Sequence, residues 1–138
     1  MYDNLTEEEL AKGRRSLAMM LREMLDKKQS RKFSDTDHRG ATDVNLVVKN
    51  MEAAWKLPGG IYNYGSSNDA NMYETVRRVM ASFGQEALAE KATGGNVRNL
   101  MMRTDKLARH GIFFPDTAAG LEAFLRKGGA YLKQFRDE

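Results

Sequence analysis

The chain of 138 residues contains no cysteine. Disulfides, thiol nucleophiles and sulfur-ligated zinc sites are therefore excluded. Histidine is scarce as well: His38 and His110 stand far apart. No apolar run approaches the ~20 residues that a membrane-spanning helix needs. The first ten residues, MYDNLTEEEL, are polar and acidic and carry no export signal, so a cytoplasmic protein with no membrane partner is expected. Neither sign of charge dominates. The 22 basic and 19 acidic residues leave a net charge of +3, too balanced to imply nucleic acid. The nucleotide-cofactor signature is missing too. The pairs Gly59–Gly60, Gly94–Gly95 and Gly128–Gly129 never form G-x-G-x-x-G after an apolar strand. Four positions beyond Tyr2, Tyr62, Tyr64, Tyr73 and Tyr131 stand Thr6, Ser66, Asn68, Arg77 and Phe135. No lysine is there to lower a phenol's pKa for proton transfer.

What is present reads as one globular domain spanning 1–138. Apolar residues make up 41% and charged residues 30% of the chain. A chain of this length buries roughly two-thirds of its unfolded surface, enough for a core of its own. No internal repeat, low-complexity tract or linker interrupts it. Thr6, with glutamates at 7–9, opens an amphipathic helix carrying Leu10, Leu17, Met20, Leu21, Met24 and Leu25 at helical spacing. A short extended piece is expected at Lys32–Ser34, then a polar loop. Val44, Val47, Val48, Met51, Ala54 and Trp55 share the face of a second helix, which Pro58 and the glycines after it stop.

IYNYGS, residues 61–66, alternates as a strand should. Asn71 and Glu74 form an N-x-x-E capping box ahead of Val76, Val79, Met80 and Phe83, and Gly84 sits where a C-cap glycine belongs. QEALAEKA reads as a short helix and VRNLMMR as a second strand. TDKLARHG supplies one or two helical turns. The last helix carries Leu121, Phe124, Leu125, Tyr131, Leu132 and Phe135. The expected class is α+β and mostly helical, with about four to five helices and two or three short strands.

Few side chains suggest chemistry. His110 ends a helical turn, where an imidazole suits the dipole, and His38 lies in a polar loop, so neither points to a metal. Lys27, Lys28, Arg31 and Lys32 cluster near a helix C-terminus without interleaved aromatics, which argues against a nucleic-acid patch. The methionines read as core filler. Arg39, beside Gly40 in a loop ahead of a helix, has two readings: a fork for a phosphate, or a solvated loop charge.

At this point a resemblance emerges. GIYNYGSSNDANMYETVRRVM, preceded by NMEAAW and followed by NVRNLMMRTDKLARHGIFFPDTAAGLEAFLRK, resembles the C-terminal part of dTDP-4-dehydrorhamnose reductase-like proteins. These are extended short-chain dehydrogenases acting on nucleotide-linked sugars. The likeness spans roughly Phe33 to Lys127 and rests on the order of six elements. It implies the substrate-binding, C-terminal portion of a Rossmann-type NAD(P)H-dependent reductase, without the Rossmann domain that holds cofactor and catalytic residues. No catalytic or cofactor-binding residue is therefore expected in this chain. A nucleotide sugar would be its ligand, and a Rossmann domain, in cis or in trans, its partner.

The resemblance places Arg39, Arg98 and Asn99 near the substrate. Departures at Asp43, Leu46, Val97 and Arg103 touch the same region and leave the identity of the sugar open. The alternative is an interaction module of the same fold that no longer binds sugars and buries its exposed apolar face as a homodimer.

Overall fold

The computed structural model describes Glu8, residues 16–93 and residues 97–136, with side chains in the last helix up to Lys127. Six α-helices and four short strands make up these residues, an α+β arrangement. In chain order they are α1 (Leu17–Lys27), β1 (Arg31–Ser34), β2 (Asp37–Arg39), α2 (Val44–Lys49), α3 (Met51–Trp55) and α4 (Met72–Ser82). A 3₁₀ turn at Glu86–Leu88 then leads into β3 (Ala89–Ala92), β4 (Arg98–Leu100), α5 (Asp105–Ala108) and α6 (Thr117–Arg136).

Sequence periodicity dictates how the core closes. On α4, Met72, Thr75, Val76, Val79 and Met80 follow the i, i+3, i+4, i+7, i+8 pattern, and all are buried. That stripe meets Ala18, Leu21 and Met24 of α1, Leu88 just ahead of β3 and Ala89 at its start, and Leu121, Phe124 and Leu125 of α6 in one cluster. Arg22 of α1 adds a bond to the Leu125 carbonyl at 3.2 Å. The ends of α4 are set as its sequence predicts. Asn71 Oδ1 accepts from the Glu74 N–H at 2.8 Å. Gly84 follows the helix at φ +69°, a left-handed conformation that glycine adopts without a Cβ penalty.

The strands pair in parallel, β1 with β3 and β2 with β4. Arg31 to Ser34 stand opposite Ala89 to Ala92, and Asp37, His38 and Arg39 opposite Arg98, Asn99 and Leu100. The two ladders are nearly one. Asp35 N–H donates to the Ala92 carbonyl at 3.3 Å, and Arg98 N–H to the Thr36 carbonyl at 3.2 Å. Pairing on the β1–β2 side therefore runs through a bend at Asp35–Thr36.

Several expectations are corrected. The helix predicted across Val44–Trp55 is two helices, because Asn50 breaks it and caps α2 through bonds to the Leu46 and Val48 carbonyls. Residues 61–66 form no strand. They carry no regular secondary structure and join no ladder, and Gly65 turns to φ +147°. QEALAEKA is a 3₁₀ turn and then β3, not a helix. VRNLMMR shortens to Arg98–Leu100, and the loop after Ser34 holds the unpredicted strand β2. Ser16, whose side chain accepts from the Met19 N–H at 3.2 Å, caps α1. Thr6 and the helix expected from it lie outside the described residues.

In place of a ladder, side chains fix the 61–66 segment. Tyr64 donates its hydroxyl to the Val47 carbonyl at 2.7 Å and packs edge-on against the Phe114 ring. Burial pushes the Tyr64 phenol above its ordinary value near 10. Because the neutral phenol is favoured in the native state, its contribution is complete below about pH 10 and is lost as pH rises through the raised value. Tyr64→Phe is expected to cost about 1 kcal/mol at neutral pH. Urea unfolding of both proteins across the alkaline range checks this: the gap between them should close as the wild-type phenol ionises.

Candidate functional site

The β2–β4 register decides which side chains can meet. Successive residues on a strand face opposite ways, and directly paired residues face the same way. Asp37, Arg39, Arg98 and Leu100 therefore share one face of the pair, with His38 and Asn99 on the other. The side chains follow this rule. Arg39 Nε and Arg98 Nη2 each lie 3.4 Å from the same oxygen, Oδ2 of Asp37. Two of the three residues expected near a substrate are thus brought together. The third, Asn99, turns its Oδ1 to the backbone N–H of Met101 at 3.2 Å and does not join them.

Both arginine side chains are about half exposed, 48% and 49%, whereas the Asp37 side chain keeps only 10% of its surface. Their contacts to Asp37 are longer than the 2.7–2.9 Å of a strong charge-assisted bond. An ion pair with one half-exposed member is worth little, so each guanidinium can redirect donors to a ligand at small cost. The other carboxylate oxygen is different. Asp37 Oδ1 is buried and has no hydrogen-bond partner among the described residues, and the same holds for Oδ1 of Asp35 at the bend.

Beside this cluster opens a groove of about 460 Å³. Arg31, Lys32, Phe33 and Ser34 of β1 line it with Asp37 and Arg39 of β2, Leu17 and Met20 of α1, and Met72 at the start of α4. Its lining is chemically mixed: Arg31, Lys32 and Arg39 with the carboxylate of Asp37, and the apolar Leu17, Met20, Phe33 and Met72. Such a groove can hold a ligand with an anionic portion joined to a flat or apolar one. The basic run singled out in the sequence is split by the fold. Lys27 pairs with Glu23 at 2.9 Å and Lys28 caps α1, while Arg31 and Lys32 line the groove.

Arg39 is positioned by a buried polar network. Asn68 donates its amide to the Arg39 carbonyl at 3.0 Å and to Thr75 Oγ1 at 2.8 Å, and its Oδ1 accepts from the Ala70 N–H at 3.2 Å. Just beyond Arg39, the Ala41 N–H donates to Thr117 Oγ1 at 3.1 Å, and that hydroxyl donates to the Ser67 carbonyl at 3.0 Å. Sequence reading passed over Asp37, Arg31 and Asn68 as site residues. The period-two spacing of Asp37 and Arg39 carried a signal, since on a strand it puts both on one face. Among the described residues no three His, Asp or Glu side chains gather as a metal would require, and no helix is long and apolar enough to cross a membrane.

A second groove, about 400 Å³, lies between Val47, Met51, Ala54, Trp55 and Tyr64. Of its lining, Trp55 is 80% exposed, and Val48 and Ile61, close in sequence, are exposed as well. Compared with protein-family models, with curated proteins and with solved structures, the chain matches none.

Proposed function

We propose that this chain is the nucleotide-sugar-binding portion of an NAD(P)H-dependent sugar-nucleotide reductase, with a ligand of the dTDP-4-dehydrorhamnose kind. The observation that supports this reading is the convergence of Arg39 and Arg98, from adjacent parallel strands, on Asp37, which with Arg39 lines a groove of mixed cationic and apolar side chains. Guanidinium groups suit phosphate because their planar forks deliver paired donors to it. The cationic wall takes the diphosphate, and Phe33 with the neighbouring apolar side chains takes the base. Hydride transfer is left to a Rossmann domain supplied in cis or in trans, since the chain has neither a glycine-rich cofactor turn nor a Tyr-x-x-x-Lys pair. The resemblance of residues 33–127 to the reductases supplies the reaction class, and the groove supplies the means of binding.

Calorimetric titration with dTDP-glucose tests the reading. Binding is expected in the wild type and at least ten-fold weaker in Arg39→Ala, the loss of one charge-assisted contact pair. Equal binding by the two proteins removes Arg39 from the site. NADPH should not be consumed by the chain alone.

The exposed Trp55, Val48 and Ile61 favour a second reading, a non-catalytic interaction module that dimerises through this face. Sedimentation decides between them. In the first reading the face meets the missing Rossmann domain and this chain need not self-associate; in the second it is a dimer at micromolar concentration, and a clean monomer rules that out.

A further inference from the structure

Within the nucleotide-sugar reading, on which this inference rests, Asp37 is the residue that reading leaves unexplained. A carboxylate in a groove built to hold phosphate repels the ligand and competes for its arginines. Asp37 is 7% exposed, lines the groove, and shares Oδ2 between Arg39 and Arg98. Its Oδ1 is unsatisfied among the described residues. A buried acceptor without a donor is costly, and more so when it is charged. The torsion that carries the carboxylate is soft, and turning it brings Oδ1 toward the groove while Oδ2 shifts by as much, within reach of guanidinium groups held at only 3.4 Å and half exposed. A donor on the ligand, placed next to the group the arginines hold, then supplies a partner.

We propose that Asp37 is the specificity-determining residue of this groove: its Oδ1 accepts a hydrogen bond from a hydroxyl of the sugar esterified to the diphosphate. Two effects then act in the same direction. The hydroxyl satisfies the carboxylate, which the free nucleoside diphosphate cannot do. The free diphosphate also carries one more negative charge than its glycosyl ester, and it brings that charge to the end nearest Asp37. Bidentate recognition of phosphate alone would not separate the two ligands. The carboxylate does, by rewarding the sugar and penalising its absence.

The test measures dissociation constants for three probes by calorimetry: dTDP, the methyl ester of dTDP at its terminal phosphate, and dTDP-glucose. The methyl ester matches the glycosyl ester in charge and lacks the sugar hydroxyls. In the wild type, dTDP-glucose is expected to bind about ten-fold more tightly than the methyl ester, the worth of one hydrogen bond to a charged acceptor. In Asp37→Asn this preference should shrink to within about two-fold, and dTDP itself should bind more tightly than to the wild type. Equal binding of dTDP-glucose and the methyl ester by the wild type overturns the proposal, whatever the fate of the variant. Arg39-dependent binding of all three probes with no preference sinks the role of Asp37 and leaves the nucleotide-sugar reading standing. No binding of any probe removes both.

Discussion

Gly40→Ala is expected to destabilise the fold by about 3 kcal/mol or more. A Cβ built at Gly40 would stand 2.5 Å from the Ser66 carbonyl oxygen and 3.3 Å from Thr117 Oγ1. Neither neighbour is free to give way. Ser66 is 2% exposed, and its N–H is held by Thr42 Oγ1 at 2.9 Å. Thr117 is fully buried, and its hydroxyl bridges the Ala41 N–H and the Ser67 carbonyl. The strain must therefore pass into the backbone that carries Arg39. For a domain of this size the penalty corresponds to a drop in Tm of roughly 10 °C. Thermal unfolding followed by circular dichroism measures it, and a drop below about 3 °C would show that the 40–66 approach is looser than described.

Asn68→Leu is the second large effect, expected at about 3 kcal/mol. Leucine fills a similar space and cannot hydrogen-bond. The Arg39 carbonyl and the Ala70 N–H would each lose a partner, and Thr75 would keep only its bond to the Asn71 carbonyl, 2.8 Å long. Asn68 is 5% exposed, so water would not readily replace what is lost. Urea unfolding should show a lower midpoint with an unchanged slope, since the surface exposed on unfolding is nearly the same. On the proposed function, nucleotide-sugar affinity should fall along with stability, because the Arg39 carbonyl is one of the two points at which the end of β2 is tied down. A loss of stability without any loss of affinity would separate the network from the site.

How far the sequence foretells this arrangement depends on which force governs each segment. Helix α4 is legible because three local signals agree: the Asn71 cap, the stripe through Val76, Val79 and Met80, and Gly84 at its end. Strand β3 is illegible for the opposite reason. Ala, Glu and Lys favour helix, and only pairing with β1, more than fifty residues earlier, holds them extended. Residues 61–66 mislead because alternation alone does not make a ladder. There Tyr62, Asn63 and Tyr64 bond individually to the carbonyls of Pro58, Arg103 and Val47. The site divides in the same way. Arg39 and Arg98 can be singled out one at a time, but Asp37 acquires meaning only once the register sets it opposite Arg98.

That register also has a consequence in time. Asp37 and Arg98 are separated by 61 positions, so the contact between them closes a long loop, and the entropy of closure is spent before the ion pair returns anything. Helices α1 and α4 can form from local signals while β2 and β4 are still apart. The face shared by Arg39 and Arg98 is thus expected to form late in folding. During synthesis its two arginines remain unjoined until the chain has grown past β4.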